Sequence, residues 1–196
     1  MPDHRDRYYY LAKKERYRSR AAFKLIELQT KFNLLSEGQR ILEIGSSPGG
    51  WSQIISSITR SKVMSVDLNQ MDPLEGVIFV KGKVGTKQLP GRIREEMERN
   101  SIDTFQGILS DAMINTSGNN DIDHASSYLI CQEVMKLATE FLSAGGFVVV
   151  KQFYGDLTTE FVNKWSGMFQ YSKITKVAAS RDASKEVYII FKGYRS

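Results

Sequence analysis

The chain has 196 residues, 41% hydrophobic and 25% charged, the balance of an ordinary globular protein long enough to bury one core. No apolar run approaches the ~20 residues of a membrane span, and the opening Met1-Pro-Asp-His-Arg-Asp-Arg7 lacks the apolar stretch of a secretory signal. Cys131 is the single cysteine, which excludes an internal disulfide, fits a reducing cytoplasm and reads as a buried structural thiol.

The net charge of +5 is concentrated at the start: residues 1–24 hold eight Lys and Arg against three Asp and Glu. Tyr8, Tyr9, Tyr10 and Tyr17 interleave with them. Such a block is either a solvated basic tail or a nucleic-acid contact, in which cations meet phosphates and rings stack on unpaired bases. Ser19 is positioned to cap a helix running to Phe32, with Leu25, Leu28 and Phe32 on its apolar face.

Residues 41–45 form the first buried strand, followed by the loop Gly45-Ser-Ser-Pro-Gly-Gly50 and a helix over 51–59. A second strand, 62–66, ends in Asp67, and 77–80 is a third, short strand. A polar helix is expected over 87–99 and a fourth strand over 105–110, with Asp111 at its end. Residues 113–121 read as a loop. Ile130, Val134, Leu137, Ala138 and Phe141 then make one helical stripe, which Gly145-Gly146 is expected to terminate. The apolar strand 147–150 runs into Lys151, a helix is predicted over 157–169, and 171–177 and 186–191 close the chain as two strands. This alternation predicts one α/β domain over 1–196, a mostly parallel sheet with an antiparallel edge.

A glycine loop after the first strand and an acid after the second are the parts with which such a sheet holds a nucleoside. The loop has neither the G-x-G-x-x-G spacing of a dinucleotide site nor a phosphate-binding G-x-x-x-x-G-K-[ST], which removes a nicotinamide-dependent dehydrogenase. Asp67 can accept hydrogen bonds from both hydroxyls of a ribose. A nucleoside without phosphates points to S-adenosylmethionine.

Several segments in order carry a family resemblance: Arg18-Ser-Arg-Ala-Ala-Phe-Lys-Leu25, the loop from Gly45 to Gln53, Asp67-Leu-Asn-Gln-Met-Asp-Pro73, Ser110-Asp111, Asn115-Thr-Ser-Gly118, Val150-Lys151, Ser180-Arg181 and Glu186-Val-Tyr188. Together they resemble the FtsJ/RrmJ-type ribose 2′-O-methyltransferases, nearest the branch acting on a uridine of large-subunit ribosomal RNA. The resemblance implies a Rossmann-like methyltransferase fold and a reacting set of Lys24, Asp111, Lys151 and Glu186. It also implies cofactor contacts at Gly49, Trp51, Asp67, Asp111 and position 83, and RNA contacts at Arg18, Arg20 and Arg181 within or beside the basic segment 1–24. Ribosomal RNA or the large subunit is the implied partner; relatives acting on transfer RNA, or a non-catalytic ribosome-assembly factor that keeps the fold, are the alternatives. A monomer suffices for such a role.

The residues support the same chemistry. A 2′-hydroxyl must lose its proton to attack a methyl carbon, and Lys151 is the candidate base. A lysine directly after four apolar residues is costly unless it faces a cavity. The resemblance implies Lys24 as the neighbouring ammonium, with Asp111 and Glu186 orienting the two amines; taken singly, Lys24 reads as a helix-surface charge, Asp111 as a strand-end turn residue and Glu186 as an edge-strand partner of Arg181. His4 and His124 lack partners at metal-ligand spacing, so both are read as surface residues and no metal is expected.

Departures from the family pattern accompany the match. Gly82-Lys83 stands where many relatives have Gly-Asp to hold the adenine amino group, and lysine is donor-only; weaker cofactor binding is expected. Glu43 replaces an aspartate, and prolines usual before Asn115 and at Val177 are missing.

Overall fold

The computed structural model describes residues 7–113, 117–180 and 184–195. Arg181, Asn115 and His4, singled out above, lie outside the described residues. Seven strands form one sheet in the order β3-β2-β1-β4-β5-β7-β6. They are β1 (Ile41–Ile44), β2 (Val63–Asp67), β3 (Val77–Lys81), β4 (Phe105–Ser110), β5 (Leu142–Phe153), β6 (Phe169–Thr175) and β7 (Glu186–Tyr194). The first five run parallel to one another, and β7 runs antiparallel to both β5 and β6. The Rossmann-like order and the mixed edge agree with the sequence reading.

Strand alternation sorts the side chains into two cores. Val148 and Val150 of β5 face helices α4 (Leu89–Arg99), α5 (Asn120–Phe141) and α6 (Asp156–Ser166), whose Ile93, Val134 and Phe161 close that side. Val149, Tyr188 and Ile190 face the opposite side, against α2 (Ala22–Phe32) and α3 (Gly50–Thr59), with Leu25, Leu28, Trp51 and Ile55. Lys151 continues the Val149 side, and Glu186 continues the Tyr188 side. The antiparallel register sets Lys151 opposite Tyr188 and Phe153 opposite Glu186. The pleat therefore delivers both charged residues to the α2 side, at the carboxyl end of β5.

Several boundaries differ from the sequence reading, each for a local reason. Residues Arg7–Lys14 form a helix, α1, where a tail was one reading. It is held by Ala12 in the core and by Tyr8, whose ring centroid lies 5.5 Å from that of Phe23. Ser19 does not cap α2: the N-cap is Ala21, with no side-chain bond. Helix α5 begins at Asn120, ahead of the predicted stripe, because the Asn119 side chain accepts from the Asp121 and Ile122 amides.

Gly145-Gly146 lies inside β5 instead of ending α5. Phe105 pairs with Leu142 but Gly107 with Phe147, so residues 143–146 bulge from the ladder. Helix α6 stops at Ser166, and Phe169, expected in that helix, opens β6. His124 is not a surface residue. It is half-buried, its Nε2 accepts from the Leu157 amide at 3.1 Å, and its Nδ1 then donates to Phe153 O at 2.6 Å. Cys131 is buried as expected, and burial pushes its thiol up to about 12.

Candidate active site

The loop between β1 and α3 packs against the end of β4. Gly45 has φ +82°, and a Cβ there would stand 2.5 Å from Ala112. Gly49 has φ +109°, with Met71 and the Arg18 side chain about 3 Å from where its Cβ would be. Side chains at either position would both strain the backbone and fill the cleft.

Asp67, at the end of β2, is fixed in place. Its Oδ2 accepts the Ser47 amide at 2.8 Å and its Oδ1 the Asn69 amide at 2.7 Å. Each oxygen retains a lone pair for a ribose hydroxyl. Beneath the loop, Glu43 Oε2 accepts from the Ser52 hydroxyl at 2.5 Å and the Ser65 hydroxyl at 2.7 Å. Burial drives the Glu43 carboxyl up to about 7 despite those donors, and Asp111 and Asp67 add to the rise. An acid-lined cleft with a glycine floor suits a nucleoside that carries a positive sulfonium and ammonium.

The four residues of the expected reacting set meet at the carboxyl ends of β4 and β5. Lys151 Nζ lies 2.9 Å from Asp111 Oδ1 and donates to Asp111 O at 2.7 Å. Lys24, from α2, donates to Glu186 Oε1 at 2.5 Å. Lys24, Lys151 and Glu186 are all buried. Each ammonium thus has its own carboxylate. Burial alone would raise the Asp111 carboxyl, but the Lys151 and Lys24 ammoniums, with hydrogen bonds from Lys151 and Tyr188, hold it below the usual aspartate value.

Tyr188 is the residue the sequence reading did not assign to the site. Its hydroxyl lies 2.8 Å from Asp111 Oδ1 and 2.9 Å from Glu186 Oε1, bridging the two ion pairs. Burial, reinforced by both carboxylates, pushes the phenol well above its ordinary value, so it stays protonated and donates. The period-two spacing from Glu186 was the available signal.

The remaining expected residues are placed differently. The Trp51 indole is turned into the core, bonded through Nε1 to Ala21 O at 2.8 Å and 5.9 Å from the Tyr188 ring. Arg18 gives its guanidinium to the carbonyls of Asp72 at 2.6 Å and Pro73 at 2.7 Å, tying the entry to α2 onto the β2–β3 connection. Arg20 donates to Ala179 O at 2.9 Å. Lys83 is exposed, just beyond β3. Among the described residues no group of His, Cys, Asp and Glu gathers to hold a metal, and no helix is long and apolar enough to cross a membrane.

A match to the FtsJ-like methyltransferases spans residues 17–194. The chain is 50% identical over 187 residues to ribosomal RNA large subunit methyltransferase E of Picrophilus torridus, covering 95% of this chain and 96% of that one. It is 48% identical over 192 residues to the protein of that name from Thermoplasma acidophilum, covering 98% and 93%. A Plasmodium falciparum ribosomal RNA methyltransferase crystal structure superposes with a TM-score of 0.82 at 31% identity, covering 92% of this chain and all of that one.

The chain belongs to the FtsJ-like methyltransferase family. It is an enzyme of S-adenosylmethionine-dependent methyl transfer, and the cleft between the glycine loop and Asp67 fits that cofactor.

Proposed function

We propose that the protein methylates a ribose 2′-hydroxyl of large-subunit ribosomal RNA, at a uridine. The observation that carries this reading is the paired cluster Lys151–Asp111 and Lys24–Glu186, joined by Tyr188 beside the cofactor cleft. The names of the relatives most similar in sequence agree with it.

Bound S-adenosylmethionine supplies an electrophilic methyl group. The chain has to present a 2′-oxygen and remove its proton. The Lys151 ammonium must first give a proton to solvent; the neutral amine then has two N–H bonds and one lone pair. Asp111 offers Lys151 two acceptors, its carboxylate and its main-chain oxygen, which leaves the lone pair for the 2′-hydroxyl proton. The proton then rests on Lys151 as an ammonium beside the Asp111 carboxylate. Lys24, held by Glu186, is a second cation at the same place and favours a 2′-oxygen that gains negative charge as its proton leaves. Tyr188 keeps both carboxylates oriented.

Tyr10, Lys13, Lys14 and Arg16 are exposed on and after α1, and form the proposed RNA surface within the basic segment 1–24. Tyr8 and Tyr17 instead pack their rings against Phe23. Arg18 and Arg20 support this surface by anchoring α2. A single domain acting as a cytoplasmic monomer meets every requirement of the reading.

The test is methyl transfer from labelled S-adenosylmethionine to purified large subunits, naked ribosomal RNA and transfer RNA, with the modified nucleotide mapped. A 2′-O-methyluridine in large-subunit RNA is expected. Label in transfer RNA alone would reassign the substrate, and subunit binding without label would leave an assembly factor.

A further inference from the structure

The strand order fixes which way the cofactor lies. The reacting cluster sits at the ends of β4 and β5, on one side of β1, while Asp67 ends β2 on the other side. With its ribose at Asp67 and its methyl toward Lys151, the cofactor must extend its base past β2 toward the end of β3. A cavity of about 520 Å³ opens there, lined by Leu68, the residue after Asp67, and by Lys81, Gly82 and Lys83 at the end of β3.

Its walls have an uneven chemistry. Leu68 and Leu89 are its apolar lining, and Leu68 is 57% exposed, an uncovered side chain suited to the face of a flat ring. The charged groups are Lys81, Lys83 and Arg92, with no carboxylate among the lining residues. Arg92 spends a donor on Lys81 O at 2.7 Å. The Thr86 hydroxyl gives its proton to Lys83 O at 2.8 Å. Among the described residues neither the Lys81 nor the Lys83 ammonium is held by such a bond; Lys83 is the one beyond the end of β3, and an ammonium can only donate.

We propose that Lys83 reads the purine through an acceptor atom, N1 of adenine or O6 of a 6-oxopurine, so that the base site does not distinguish the adenosyl from the inosyl form of the cofactor. This rests on S-adenosylmethionine being the methyl donor. A carboxylate at this position would demand the 6-amino group as donor. Lys83 finds an acceptor on either ring, and the lone pairs left on Thr86 Oγ1 can take an N–H from either ring. The ligand class added is therefore the 6-oxopurine thioether and sulfonium nucleosides.

The test is calorimetric titration of the full chain with S-adenosylhomocysteine and with its deaminated analogue, S-inosylhomocysteine. The unmodified protein is expected to bind the two within about threefold of each other, less than one hydrogen bond's worth of discrimination. The Lys83→Asp variant is expected to favour the adenosyl ligand by roughly tenfold or more, as a charge-assisted bond to the amino group requires. Lys83 is exposed, so the variant should melt with the parent. If both ligands bind and Lys83→Asp leaves their ratio unchanged, Lys83 does not read the base and the proposal fails while the cofactor assignment stands. If neither ligand binds, both fall together.

Discussion

The Tyr188 hydroxyl stands 2.8 Å from the Asp111 carboxylate and connects two ion pairs that share no atom. One phenolic proton serves both Asp111 and Glu186, so the orientation of each lysine depends on a residue that is itself uncharged. Tyr188→Phe should keep the ring contact with Trp51 and the fold. Losing a hydrogen bond to a charged acceptor should lower kcat roughly ten- to hundredfold. Cofactor affinity should change by less than about threefold, because the hydroxyl serves the acceptor side. Steady-state methyl transfer with calorimetry separates the two effects.

Lys151→Ala should lower methyl transfer by roughly 10²–10⁴-fold, the range of a lost general base, with cofactor binding retained. Lys151→Arg is the sharper variant. A guanidinium keeps the charge beside Asp111 but does not give up its proton in this pH range. It should therefore be as inactive as the alanine variant while melting nearer to the parent. A tritiated-methyl assay beside a thermal melt tests both, and an active arginine variant would remove proton transfer from the role of Lys151.

Glu43 makes stability depend on pH in an unusual direction. Its carboxyl lies at about 7 in the folded protein against an ordinary 4.5. The folded state therefore binds more protons than the unfolded state between those values, and this residue's contribution to stability falls as pH rises through that window. The cost is fully present above about 7, on the order of 3 kcal/mol. Glu43→Gln keeps an oxygen for Ser52 and Ser65 without the charge. It should stabilise the protein at pH 8 and lose that advantage at pH 4.5 and below, as denaturant unfolding at the two pH values would show.

Gln152 is fully buried, with neither end of its amide hydrogen-bonded. It follows Lys151 in β5 and so faces the opposite side of the sheet, toward α5 and α6. Gln152→Met has similar length and removes the cost of the unmet amide, on the order of 1–3 kcal/mol. Its denaturation midpoint should rise without loss of activity. A fall instead would mean that the amide is satisfied in solution.

Much of the candidate site was legible because its signals are local. Asp67 and Asp111 mark strand ends, and Lys151 breaks an apolar run at a place where only a cavity tolerates it. Tyr188 carried only its period-two spacing from Glu186: a tyrosine between valine and isoleucine in a strand reads as core, and its other carboxylate partner, Asp111, is remote in sequence. The inward turn of the Trp51 indole follows from the phase of α3 against α2, which the glycine loop alone does not set. Helix α1 was hidden because its amphipathic pattern is short and needs Phe23 of α2 to hold it. Gly145-Gly146 resembled a helix stop, and only the pairing of Phe105 with Leu142 reveals a bulge. His124 was misread for a similar reason, since both of its partners are main-chain groups, one at the end of β5 and one at the start of α6.

The position of β7 orders the birth of the enzyme. It is the last strand of the chain, yet it occupies the slot between β5 and β6, both made before it. Asp67 and the glycine loop are complete long before Glu186 and Tyr188 exist. A nascent or truncated chain can therefore possess a cofactor cleft while lacking the two groups that hold Lys24 and Asp111 in place. If Glu186 and Tyr188 position the reacting groups as proposed, methyl transfer should be gained only when β7 enters between β5 and β6, and activity would then report the closing of the sheet.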